Sequence, residues 1–214
     1  MTEPLTASPR AVADKRAALL AAALRLIASS GLHATTTAAV AREAGVAAGT
    51  LYLYFPSKEA LVNALYLDLL GERHRAAVAD VGSLDGAPAD PREQLWRSWH
   101  GLARWHLDHP AATRVLQQLR GSGILSAETR AAEQRARAEG LTDFRRAIAR
   151  GLLRDVSVRA FWALYAGPIL ALADAADDGE DEGDDEGEVS DAVLRATFDG
   201  VCRAVLPPDD ASAR

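Results

Sequence analysis

Apolar residues recur along this chain at helical spacing, in blocks separated by glycine, proline and polar breaks, and no stretch shows the strict alternation of a strand. The blocks predict about nine helices. Helix 1 spans roughly Asp14 to Ser29, helix 2 Thr37 to Ala44 and helix 3 Ala48 to Tyr54. Ser57 caps helix 4, which continues to about Ala79. Residues 82 to 90, GSLDGAPAD, form a loop, and Pro91 at a first helical position opens helix 5, which ends before Pro110. A short helix 6 near Ala111 to Leu119 is broken by Gly121-Ser122-Gly123. Helix 7 starts at Ser126 and reaches about Leu152. Helix 8 runs from about Ser157 to Ala175 and helix 9 from about Val189 to Val205, before Pro207-Pro208. The fold class is all-α: a three-helix head followed by a C-terminal helical bundle.

Residues 35 to 61, TTTAAVAREAGVAAGTLYLYFPSKEAL, carry the most specific pattern. Thr36 is placed to cap helix 2, its hydroxyl accepting a free N–H of the first turn. Val40, Ala41 and Ala44 give helix 2 a small apolar face, with Ala41 where two helices cross closely. Gly45 falls where the turn needs positive φ, which glycine adopts without steric cost. Val46, Leu51 and Tyr54 pin helix 3 to helix 2, so Gly49, Thr50 and Tyr52 project outward, as on a recognition helix entering a major groove. Lys58 puts a cation beside the free N–H groups that open helix 4, a seat for phosphate.

The segment AGVAAGTLYLYFPSKEAL resembles the strongest part of the TetR family of regulators almost residue for residue. Upstream, Arg16, Leu19, Leu20, Ala22, Ala23, Leu24, Leu26, Ile27, Gly31 and Leu32 stand where that family has its first helix and turn. The resemblance covers about residues 14 to 65. Ala47 and Ala48 depart from it, replacing residues that are commonly polar or basic, and Ile27 replaces the usual aromatic.

What the resemblance implies is a layout in three parts: a flexible arm over 1–12, a helix-turn-helix DNA-binding domain over 13–73, linker helix 4 included, and a ligand-binding and dimerisation domain over 74–214. The DNA-contacting set is then Thr35, Thr36, Ala48, Gly49, Thr50, Tyr52, Tyr54 and Lys58. The partners it implies are a palindromic double-stranded operator, a second copy of the chain and a small-molecule inducer, with repression as the activity. Small residues Ala163, Ala166, Gly167, Ala196 and Gly200 on helices 8 and 9 stand where the family pairs these helices across a dimer interface.

The net charge of −6 looks wrong for a DNA-binding chain until its distribution is considered. Eleven carboxylates and no Lys or Arg fall between Asp174 and Asp191. The rest of the chain sets 24 basic against 19 acidic residues, a net +5. Local sign governs phosphate contact within a Debye length, so the global value does not exclude DNA. Hydrophobic residues make up 49%, enough for a core. No uninterrupted apolar run approaches the ~20 residues of a membrane span, and the N-terminus has no signal-like core. Cys202 is the only cysteine, leaving no intrachain disulfide and no cysteine-based zinc site. A cytoplasmic protein without cofactor and without a membrane partner is expected.

The second domain places Leu95, Trp99, Leu102 and His106 on one stripe of helix 5, and Leu141, Phe144, Ile148 and Leu152 on one of helix 7. Trp99, Phe144, Phe161, Trp162 and Tyr165 are candidates for an apolar ligand site, although such stripes are more often core than pocket. His100, His106 and His109 lack an acidic partner that would complete a metal set. The acidic run fits a calcium loop only to its sixth position from Asp178, because Val189 stands where the bidentate Glu is needed. A solvated, flexible connection over 176–188 is the simpler reading. An all-α enzyme or an acidic-loop interaction protein is the alternative, but no Ser-His-Asp spacing, glycine-rich phosphate loop or HExxH occurs.

Overall fold

The computed structural model describes residues 9–79, 90–178 and 189–207. Among them lie α1 (Pro9–Ala34), α2 (Thr37–Glu43), α3 (Ala48–Tyr54), α4 (Lys58–Val78), α5 (Pro91–Asp108), α6 (Pro110–Gly121), α7 (Ala127–Ala149), α8 (Val158–Asp178) and α9 (Asp191–Val205), and no strand. The expected all-α class holds. Helix α1 starts at Pro9, earlier than the sequence pattern suggested and inside the segment read as an arm; residues 1–8 of that arm lie outside the described residues. It is interrupted at Gly31, whose φ of 81° and ψ of 161° are non-helical. The acidic segment 179–188 also lies outside the described residues, while 176–178 belong to α8.

The chain divides into two compact units. One comprises residues 1–70 and 111–131, the other residues 71–110 and 132–214. The sequence reading divided the chain once, after residue 73. The segment 111–131 falls instead in the unit that holds the head. Its attachment is polar as well as apolar. Asn63 on α4 donates to the Ile124 carbonyl at 3.2 Å and accepts from Ser126 N–H at 2.8 Å. The buried residues of this unit include Leu19, Ala23, Ile27, Val40, Leu51, Leu61, Leu65 and Tyr66, with Val115 and Leu119 from α6. Residues 12–34 of α1 have the length and hydropathy of a membrane span, more apolar than their sequence pattern suggested. Leu19, Leu20, Ala22, Ala23 and Ile27 of that stretch are buried in the head, the position of a core helix.

The second unit is built on α5, α7, α8 and α9. Trp96, Trp99, Phe144, Phe161, Tyr165, Ile169, Leu194, Phe198 and Val201 share one hydrophobic core. Pro168 inside α8 removes an N–H from that helix's ladder. The nearby Tyr165 carbonyl takes a hydrogen bond from the Trp99 indole at 2.8 Å, tying α5 to α8 beside the interruption. Gly101 on α5 meets the backbone of α4, since a Cβ there would run into the Ala76 carbonyl. Only glycine permits this approach.

Candidate nucleic-acid interface

The geometry begins at the end of α1. Gly31 breaks the helix, and its carbonyl accepts both the Thr35 N–H at 3.3 Å and the Thr35 hydroxyl at 2.9 Å. Thr35 is 5% exposed, so this residue, read as a DNA contact, is turned inward where it satisfies a backbone group of the kink. Thr36 does cap α2, its hydroxyl oxygen accepting the Ala39 N–H at 3.1 Å. It is exposed and keeps its own proton to donate.

The turn is closed by backbone bonds from Ala44 to Val40, Gly45 to Arg42 and Val46 to Ala41. Gly45 has φ 68°, and nothing lies within 4 Å of where its Cβ would stand. Its glycine is therefore required by backbone conformation, not by space. Val40 and Ala41 are buried on α2, and Leu51 is the buried residue of α3.

Helix α3 has no side-chain cap, since Ala47 holds its N-cap position. A seven-residue helix without one is held by its contacts instead. Leu51 is 0% exposed. Phe55, 3% exposed, ends the helix by donating its N–H to the Leu51 carbonyl, and the Arg16 guanidinium lies over its ring at 5.6 Å. On the outer side, Tyr52 and Thr37 of α2 share a hydroxyl–hydroxyl hydrogen bond of 2.9 Å.

Ala48 and Gly49 are exposed and Thr50 is half-buried. Tyr52 is 51% exposed and Tyr54 half-buried. Leu53 is 84% exposed, a residue that the sequence reading passed over. The apolar run Leu51-Tyr52-Leu53 suggests interior positions for both leucines. Only their 200° separation on a helix hints that they face opposite ways.

Ser57 caps α4 by accepting the Ala60 N–H at 3.1 Å. Glu59 in the same turn is held below the usual carboxylate range by its backbone hydrogen bond, with Ser57 and Lys58 adding to the effect. The Lys58 ammonium reaches back and donates to the Leu32 carbonyl at 2.6 Å. Two of its three donors remain.

Four of the five proposed ligand residues lie in the core of the second unit, at 0% exposure for Trp99, 5% for Tyr165 and 7% for Phe144 and Phe161. Phe161 stacks with Tyr165 at 5.3 Å and lies 4.5 Å from Phe144. The Tyr165 hydroxyl donates to Ser98 at 2.8 Å, and burial pushes its phenol up to about 12. Trp162 differs, being exposed at the edge of this aromatic group.

The histidines have separate surroundings. His106 is buried, and desolvation, with Arg73 nearby, lowers its pKa to about 4. His109 stacks on Trp105. His100 Nε2 lies 3.5 Å from the Asp191 carboxylate, which Arg104 binds at 2.6 Å. The small residues of α8 and α9 face outward: Ala163, Gly167 and Ala196 are exposed, Ala166 and Gly200 partly so. Neither Gly167 nor Gly200 has anything within 4 Å of a built Cβ. The neighbouring Trp162, Leu164 and Val193 add exposed apolar surface.

Comparison with known proteins agrees with this geometry. Residues 19–65 match the family described as "Bacterial regulatory proteins, tetR family". The chain is similar to the HTH-type transcriptional regulator EthR of Mycolicibacterium smegmatis, 33% identical over 102 residues, 48% of this chain and 46% of that one. It is also similar to the HTH-type transcriptional regulator BetI of Rhizobium meliloti, 42% identical over 81 residues, 38% of each chain. The chain thus matches about half, or less, of the length of these curated relatives. A solved TetR family transcription regulator from Marinobacter aquaeolei VT8 superimposes with a TM-score of 0.80 at 27% identity, covering 93% of this chain and 99% of that one. Residues 19–65 are thus a domain of the type found in the TetR family of bacterial regulatory proteins.

Proposed function

We propose that the protein is a homodimeric transcriptional repressor that binds a palindromic operator and leaves it when a small, largely apolar ligand occupies the second unit. The observation carrying this reading is the presentation of α3. Its one buried residue, Leu51, anchors it, and Gly49, Thr50, Tyr52 and Leu53 stand away from that anchor on a helix set by the Gly45 turn. Such a helix, projecting from a compact head, has the form that reads base edges in a major groove. Ala48, Gly49, Thr50 and Tyr52 are then the groove-facing residues. Thr36, Tyr54 and Lys58 supply phosphate contacts that position the head.

A single short helix reads few base pairs, so a two-fold partner is part of the reading. The outward-facing small residues of α8 and α9 are the surface for it, since their glycines have open space in the protomer. An aromatic core with polar handles such as the Tyr165 hydroxyl suits an apolar ligand. That ligand releases DNA by favouring a state of the dimer whose two heads no longer match two half-sites. No catalytic role is assigned, and a DNA partner implies action in the cytoplasm.

The test is binding of the purified full chain to a random duplex library over a range of salt. Recovery of a palindrome, with affinity falling linearly on a log–log salt plot, is the expected result. Failure to enrich any sequence would contradict the reading.

A further inference from the structure

We propose that Leu53, and not Tyr52, is the central specificity-determining residue of the recognition helix, and that it recognises the 5-methyl group of a thymine. The proposal rests on the DNA-reading role of α3 argued above.

Leu53 is the most exposed of the large hydrophobic residues described, at 84%. Residues advance about 100° around a helix, so Leu53 lies about 200° from the fully buried Leu51, on the opposite face. Gly49 lies one turn earlier on that face and has nothing within 4 Å of a built Cβ. The outer crest of α3 is therefore a bare backbone turn followed by one branched apolar side chain. A crest of that shape lets the helix seat deeply while Leu53 alone reaches the groove floor.

Tyr52 is differently placed. Its hydroxyl is hydrogen-bonded to Thr37 on α2 at 2.9 Å, which draws the ring toward α2 and away from the crest. It is suited to the groove wall and its phosphates. Thr50, on the other flank, is half-buried.

A leucine has no donor or acceptor, so it cannot read a hydrogen-bonding edge. The apolar group that distinguishes base pairs in the major groove is the thymine methyl. Leucine against methyl buries carbon on both sides and leaves no polar group unpaired. The exposure of Leu53 costs the free protein apolar contact with water, and a groove methyl would relieve it.

The experiment uses the full chain and the operator recovered from a random duplex library. Each thymidine is replaced in turn, symmetrically in both half-sites, by deoxyuridine, which removes only the methyl. For the wild type, one position per half-site should lose roughly fifteenfold in affinity, about fourfold for each methyl. Leu53→Ala should bind the parent operator more weakly and show no further loss at that position. Because Leu53 is exposed, this variant should keep the wild-type melting temperature. Equal uracil sensitivity in wild type and Leu53→Ala, or a specific operator with no methyl-sensitive position, would overturn the role of Leu53 and leave DNA reading intact. Enrichment of no sequence at all would overturn both.

Discussion

The Lys58 ammonium, at the first turn of α4, donates a 2.6 Å hydrogen bond to the carbonyl of Leu32, at the end of α1. It therefore closes the head by joining two elements 26 positions apart, while its other two donors stay available to a phosphate. Lys58→Ala should cost about 1.5 kcal/mol of stability, the low end for a charged hydrogen bond because the site is half-buried. It should also weaken DNA binding for all sequences and flatten the salt slope by about one. Thermal unfolding and salt-titrated anisotropy check the two effects separately.

Gly101→Ala should destabilise the second unit. The new methyl would meet the Ala76 carbonyl, which is backbone and cannot swing aside. Alanine's better helix propensity returns about 1 kcal/mol, while forced overpacking costs about 1–3 kcal/mol or more. A net loss in denaturant midpoint is expected. An unchanged midpoint would mean that α4 and α5 have room to separate.

His106 gives the fold a pH dependence of definite sign. Its folded pKa of about 4 lies below its ordinary 6.5, chiefly through burial and secondarily through Arg73. The unfolded chain thus binds the extra proton between those values, and stability rises with pH across that window. The contribution is full above about pH 6.5 and lost as pH falls through 4, amounting to at most about 3 kcal/mol. Glu59 and Asp191, both held below the usual carboxylate range, act in the same direction at still lower pH. Melting temperatures of wild type and His106→Leu from pH 4 to 7 should differ in slope, with the variant flatter.

Gly167→Arg or Gly200→Arg should leave the protomer folded and prevent dimerisation. Both positions have open space around a built Cβ, so the protomer accommodates the side chain. A dimer formed by close approach of small residues does not. Sedimentation velocity of the variants should show folded monomers. Persistence of dimers would place the interface elsewhere.

Much of the head is legible in the chain because its determinants are local. The bounds of α3, the Thr36 cap and the positive φ of Gly45 all follow from residues within a few positions of each other. The partners of Lys58 and Asn63 are tertiary and leave no trace in spacing. Thr35 looks like a surface hydroxyl until the break at Gly31 supplies a carbonyl for it. Leu53 escaped notice because apolar residues on a short helix are assigned inward, and only the burial of Leu51 reverses that assignment. Spacing alone does not separate core from pocket lining among the aromatic residues of the second unit; in the fold Trp99, Phe144, Phe161 and Tyr165 share one cluster and Trp162 stands at the surface.

The most direct test of the central claim is the affinity of the purified chain for its selected palindrome against a scrambled duplex of equal length, measured across salt. A regulator that reads DNA with α3 should bind two protomers per palindrome, prefer it by at least about a thousandfold and lose affinity linearly in log salt. Equal affinity for palindrome and scramble, at every salt concentration, would contradict the account.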